Sequence, residues 1–203
     1  MQLTIPIPDS QKAVRLPPGI VNGGEEEFFQ FCQANSELRI ERSADGEIIV
    51  ISPAGGYASF QSLKVASDLF AWATKDGSGI AFNSSGGFIL PNGAMRSPDA
   101  AWVRLSRLRA LSPREKQRFI PLCPDFLIEV ASPSDEAAEL RRKMEEYRSV
   151  GLQLGWLILP ESRQVEIYTS AGIETLISPE TVSGDPVLPG FTLQLALIWN
   201  PPF

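Results

Sequence analysis

Between Pro124 and Pro133 the chain carries a short apolar run, "DFLIEVAS". A charged segment follows, "SDEAAELRRKMEEYRSV", and then a second apolar run, "LGWLILP". Runs this short, bounded by Pro and Gly, read as strands, the second of them fully buried. The charged segment reads as a helix over 135–149, with Ser134 as its N-cap, Asp135 and Glu136 in its first turn and Gly151 just past its end. Such a chain must lay helices on a sheet, and the rest agrees. "GGEEEFFQFCQAN" is a short helix with Phe28, Phe31 and Cys32 on one face, and "ELRIERSADGEIIVIS" is a hairpin around Asp45-Gly46. Residues 57–76 carry Phe60, Leu63, Ala66, Phe70 and Ala73 at helical spacing, ended by Gly77. "GIAFNSSGGFIL" and "DAAWVRL" read as two strands joined across Pro91-Asn92-Gly93, and 105–122 as a short helix or loop. "QVEIYTSAGIETLI" is a peripheral hairpin, and the tail "VLPGFTLQLALIW" packs back on the body. The expected class is α/β (α+β), with one central mixed β-sheet flanked by helices. Residues 1–22, Pro-rich and polar, are expected to form an arm, and 23–203 a single domain.

What the chain lacks is as informative. It has no histidine, which removes Ser-His-Asp and Cys-His catalysis, His-liganded zinc and the HExxH proteases together. Acid–base chemistry must then come from carboxylates, Lys, Tyr or metal-bound water, and a metal must be an oxygen-loving one such as Mg²⁺ or Mn²⁺. Cys32 and Cys123 are the only cysteines, so neither a disulfide framework nor a C-x-x-C metal site is available. The opening "MQLTIPIPDSQKAVRL" does not read as a secretory signal, and no apolar stretch approaches the length of a membrane span. A cytoplasmic, reducing location without a membrane partner is expected. The net charge of −6 argues against a general nucleic-acid binder, but residues 104–118 hold six cations opposed by Glu115 alone. That stretch reads either as a solvated loop or as a phosphate-facing edge.

Glu129 stands inside the first apolar run, where an unpaired carboxylate would cost several kcal/mol or be neutralised. Side chains alternate along a strand, so Asp99, Ala101 and Val103 share one face, and Asp125, Leu127, Glu129 and Ala131 share another. If those strands are neighbours, Asp99 and Glu129 converge on one divalent cation, which offsets their mutual repulsion. In the following helix Leu140, Lys143, Met144 and Tyr147 form the core-facing stripe. Lys143 therefore delivers its ammonium toward the acids while Arg141 and Arg142 face outward. Two acids and a Lys around Mg²⁺ suit phosphodiester hydrolysis, the Lys positioning or deprotonating water or screening the transition state. Asp125, at the strand start, reads as a cap, and Tyr147 as core. Gln61 and Ser62, after "PAGG", lie where they could approach the site, with no spacing argument to include them.

With those residues in view, the chain resembles the Uma-two proteins, restriction endonucleases of the PD-(D/E)XK nuclease superfamily. The resemblance runs over about 24–199, through "DGEIIVISPAGG", "GGFILPNG", "RSPDAAWV", "CPDFLIEVASPSD", "RRKMEEY", "GWLILP", "VEIY" and "VLPGF". It implies a restriction-endonuclease-like core, Asp99 as the Asp of the PD motif and Glu129 as the acid of the second half-motif. The superfamily's Lys, two residues past that acid, is Ala131 here, and Lys143 resembles its migrated counterpart. Glu47, in "DGEII", matches a recurrent position and either completes the acidic cluster or is a hairpin surface carboxylate. The expected function is a Mg²⁺- or Mn²⁺-dependent DNA endonuclease, with Asp99 and Glu129 as metal ligands and Asp99, Glu129, Lys143 and Glu47 as catalytic residues. The alternatives are a nuclease-fold binding or regulatory protein that has lost turnover, and a hydrolase of small phosphate esters. A homodimer is expected, because double-strand cleavage needs two sites.

Overall fold

The computed structural model describes residues 13–19, 21 and 23–203. In chain order the first elements are β1 (Ala13–Leu16), α1 (Glu25–Gln33), β2 (Arg39–Arg42), β3 (Ile48–Ile51), α2 (Gly56–Asp76) and β4 (Gly79–Asn83). Next come β5 (Phe88–Ile89), β6 (Met95–Arg96), β7 (Ala100–Arg104), the short helices α3 (Leu105–Arg109) and α4 (Pro113–Lys116), β8 (Phe126–Val130) and α5 (Ala137–Ser149). The chain finishes with β9 (Leu154–Leu159), β10 (Gln164–Thr169), β11 (Gly172–Ile177), β12 (Thr181–Ser183), β13 (Thr192–Gln194) and α6 (Ala196–Trp199).

The central sheet has the order β11-β10-β9-β8-β7-β4. Only β8 and β9 run parallel, joined by α5, so the sheet is mixed as expected. Every residue of β8 and of β9 is buried, because each face of the sheet carries its own core. On one face Trp102, Phe126, Ile128 and Trp156 pack against Val65, Leu69 and Ala73 of α2, and the tail covers them with Phe191, Leu193 and Ile198. On the other, Ala101, Val103, Leu127 and Leu157 pack against Met144 and Tyr147 of α5. A second sheet, in the order β1-β3-β2-β6-β5, forms a separate layer. Its Ile40, Ile48 and Val50 pack on Phe28 and Phe31 of α1.

Four local expectations change. Helix α2 buries Gln61, Val65, Leu69 and Ala73, whereas Leu63 and Phe70 of the expected stripe are 66% and 63% exposed. "GIAFNSSGGFIL" is not one strand. Asn83 turns the chain by accepting from the Ser85 N–H, so β4 pairs with β7 while β5 joins the other sheet. Helix α5 starts at Ala137 rather than 135, since Asp135 is occupied in accepting from the Ser132 N–H. The expected arm over 1–22 falls largely outside the described residues, but its stretch Ala13–Leu16 is a strand paired with β3.

Candidate active site

Ala100 lies opposite Ile128, and Ala101 opposite Leu127, across the antiparallel β7–β8 pair. Asp99 immediately precedes β7 and Glu129 follows Ile128 in β8, so both acids stand at the same end of that pair. Both acids are nearly buried, at 8% and 3% exposure, and both line a cleft of about 770 Å³ between the second sheet and α5. Asp99 Oδ2 accepts the Val130 N–H at 2.9 Å, so Asp99 is held by the neighbouring strand itself. Its Oδ1 accepts from Ser62 Oγ at 3.2 Å and lies 3.7 Å from Arg39 Nη1.

Lys143 does arrive from α5. Its Nζ is 2.8 Å from Glu129 Oε1, where the Tyr147 hydroxyl also donates at 3.1 Å. The same ammonium donates at 2.9 Å to a carboxylate absent from the expected set, that of Glu41 on β2. Glu41 further accepts the Ser97 N–H at 3.0 Å and meets Arg96 Nη1 at 3.3 Å, and Arg96 Nε reaches Glu146 of α5 at 2.6 Å. Glu41 thus ties together the segment that carries Asp99, the helix that carries Lys143 and the second sheet.

Glu47 goes elsewhere. Its carboxylate pairs with Arg15 at 2.6 Å and is not among the groups that meet Lys143. Asp125 is fully buried as a cap, accepting the Arg104 N–H and the Gln153 amide and pairing with Arg107 at 3.0 Å. The basic loop leaves the far end of β7 from Asp99, and its Arg114 and Arg118 are drawn to Glu26. Ala131, where the superfamily carries its Lys, packs against the α5-side core.

The electrostatics separate the two buried glutamates. Burial pushes Glu129 up to about 7, with Asp99 and Glu41 adding to the rise and Lys143 opposing it. Burial also works against the charged form of Glu41, yet Lys143, Arg96 and Arg39 outweigh it and hold that carboxyl down at about 2. Lys143 is raised: burial disfavours its charge, but Glu129 and Glu41 overcome that. Tyr147 is raised by burial and stays a hydroxyl. The site therefore contains a committed carboxylate, Glu41, a committed ammonium, Lys143, and a poised acid, Glu129.

Among the described residues no group of three or more His, Cys, Asp or Glu converges as a metal cage. Two facing carboxylates with oxygen donors only do fit a Mg²⁺-like ion, which keeps several waters and takes one or two protein carboxylates. The residues able to hold such an ion are Asp99 and Glu129.

Three of the four expected site residues, Asp99, Glu129 and Lys143, meet in one cleft; Glu47 does not join them. Glu41, Arg39 and Arg96 are absent from the expected set, and Ser62, for which spacing gives no argument, does reach Asp99. In "RIER" the acid looks like the solvent side of an alternating strand, and only a layer covering both faces makes it interior.

The mixed sheet with its flanking helices is the restriction-endonuclease-like fold. A solved structure from Anabaena variabilis ATCC 29413, described as a putative nuclease belonging to DUF820, superposes with a TM-score of 0.65. It covers 79% of this chain and 89% of its own, at 21% identity, a likeness of fold. The family model Uma2, described as "Putative restriction endonuclease", matches residues 25–196, and the chain belongs to that family. No curated protein gives a match. Among the described residues no helix is long and apolar enough to cross a membrane.

Proposed function

We propose that this chain is a divalent-metal-dependent endonuclease that hydrolyses DNA phosphodiester bonds. The observation that carries the reading is that buried Asp99 and Glu129 line one cleft, with Lys143 Nζ 2.8 Å from the latter. Asp99 and Glu129 would hold Mg²⁺ or Mn²⁺. When bound, that ion supplies a lowered water pKa and draws charge off the non-bridging phosphate oxygens. Val130 N–H and Ser62 hold the Asp99 carboxylate in place, which limits the reorganisation it needs. Glu129, raised to about 7 by burial, would have to be the carboxylate, its proton released to solvent, to hold the ion. Lys143, held charged by Glu41, orients the attacking water and stabilises the negative charge that develops at phosphorus. Hydrolysis of both strands calls for two such sites, and a homodimer supplies them.

One observation favours a second reading, a nuclease-fold binding or regulatory protein. The cleft rim adds Asp135 and Glu136, charges that repel a phosphate backbone until cations offset them. Plasmid nicking in Mg²⁺ or Mn²⁺ decides between them. The wild type should nick, and Asp99→Ala, Glu129→Ala and Lys143→Ala should each lose about 10²-fold or more in rate. A wild type that leaves the plasmid intact, or variants that cut as well as it does, would leave the second reading standing.

A further inference from the structure

The cations lining the cleft are unequally satisfied. Lys143 sits between two carboxylates, Arg96 meets Glu146 and Glu41, Arg15 pairs with Glu47 and Glu139, and Arg142 with Glu139 at 3.2 Å. Arg39 differs. Its Nη2 donates to the Ser97 carbonyl at 2.5 Å, its nearest carboxylate oxygen is Asp99 Oδ1 at 3.7 Å, and its buried Nε has no hydrogen-bond partner. A guanidinium offers five donors in a planar fork, and a buried donor left unpaired is costly. Arg39 keeps a third of its side chain accessible from the cleft. It also stands beside Asp99 Oδ1, the oxygen of that acid that does not accept from the Val130 N–H. A divalent ion on Asp99 would take away Arg39's counter-charge and add two positive charges next to it. An anion that touches both relieves that repulsion, and a phosphate oxyanion presents oxygens to each.

We propose that Arg39 is the substrate-phosphate anchor of this cleft, and that by competing with the cation for Asp99 it couples phosphate binding to metal binding. This rests on the reading of Asp99 and Glu129 as metal ligands. It predicts opposite signs for one substitution, which a merely structural role would not produce. Without DNA, Arg39→Gln should bind Mn²⁺ about tenfold more tightly than the wild type, because the competing charge is gone. Its affinity for a short DNA duplex in Ca²⁺ should fall about tenfold, and the salt slope of that binding should shrink by about 0.9, the change expected when one phosphate is no longer neutralised. Arg39→Lys, which keeps the charge, should stay near the wild type in Mn²⁺ affinity.

Mn²⁺ titration by electron paramagnetic resonance and duplex anisotropy with Ca²⁺ or with EDTA test this, alongside Asp99→Ala and thermal melts. If Asp99→Ala abolishes Mn²⁺ binding but a normally melting Arg39→Gln binds Mn²⁺ no more tightly than the wild type, the anchor is overturned and the metal site stands. If the wild type binds no Mn²⁺, or Asp99→Ala binds it equally, the metal site fails and the anchor falls with it. Should Arg39→Gln melt far below the wild type, the wild type and Arg39→Lys decide. Duplex affinity that does not rise on adding Ca²⁺ overturns the proposal, and a rise that Arg39→Lys retains supports it. A small phosphate ester shares the oxyanion chemistry, so inorganic phosphate forms a further arm. Displacement of duplex by millimolar phosphate from the wild type but not from Arg39→Gln supports the anchor. Phosphate that couples to Ca²⁺ as strongly as duplex does would overturn DNA as its source.

Discussion

Glu129 and Glu41 are buried acids about one Lys143 ammonium apart, and they titrate in opposite directions for reasons visible in their neighbours. Burial, with Asp99 and Glu41 adding to it, keeps the Glu129 proton in the folded protein up to about 7, above the ordinary 4.5. A raised carboxyl binds more protons folded than unfolded, so the stability it contributes declines as pH rises from 4.5 toward 7 and the cost is complete above that. Glu41, held at about 2 by Lys143, Arg96 and Arg39, has the reverse sign: its contribution is complete above 4.5 and is lost as pH falls toward 2. In EDTA, Glu129→Gln should therefore raise the melting temperature at about pH 8 and lose that advantage toward about pH 5, while still accepting from Tyr147 and Lys143. Melts across that range check it, and a difference that does not vary with pH would remove Glu129 as the poised group. Legibility at this scale follows the same physics. Glu129 stands out because an acid between Leu127, Ile128 and Val130 must have a use, whereas Glu41, one charge among three in "RIER", carries no such mark.

At the scale of elements, what the sequence leaves open is rotation about a helix axis. Helix α2 carries two apolar stripes, one through Leu63 and Phe70 and one through Val65, Leu69 and Ala73, and periodicity alone does not rank them. The sheet does: the second stripe meets Trp102, Phe126 and Trp156, and the same rotation brings Ser62 to Asp99 and Gln61 to the Ile198 carbonyl. Leu69→Ala should cost about 2–5 kcal/mol, because it empties a fully buried position. Leu63→Ala, on the exposed stripe, should stay within about 0.5 kcal/mol. Urea melts of the two variants measure the difference, and equal costs would mean that α2 lies in another orientation. Helix α5 left less freedom, since its stripe of Leu140, Lys143, Met144 and Tyr147 is narrow. All four meet either the α5-side core or the cleft, as its spacing suggested. Pairing partners were harder to read. The parallel β8–β9 step is local to one helix, but the division of "GIAFNSSGGFIL" between two sheets depends on a turn at Asn83 that leaves little trace in the hydrophobic pattern.

The whole molecule is a central sheet with a core on each face and a second layer whose own core, around Phe28, Ile40 and Val50, is separate from both. That layer closes over the acids mainly with charged groups: Glu41 to Lys143, Arg96 to Glu146, Arg15 to Glu139. Apolar burial resists opening more than a set of ion pairs does, since water and salt can replace part of what an opened pair gives up. The second layer is therefore the part expected to open below the global unfolding free energy, and its opening widens the cleft that would admit a substrate. In hydrogen exchange the amides of Ile40 and Val50 should lose protection well before those of Leu127 and Ile128 in β8. Arg96→Met should accelerate the former severalfold and leave the latter unchanged, because it removes the link between Glu41 and Glu146 without touching the central sheet. Exchange at one common rate in both layers, or acceleration of β8 together with β2, would mean that the two layers unfold as one unit. The route to the acids would then have to run along the rim past Asp135 and Glu139 rather than beneath β2.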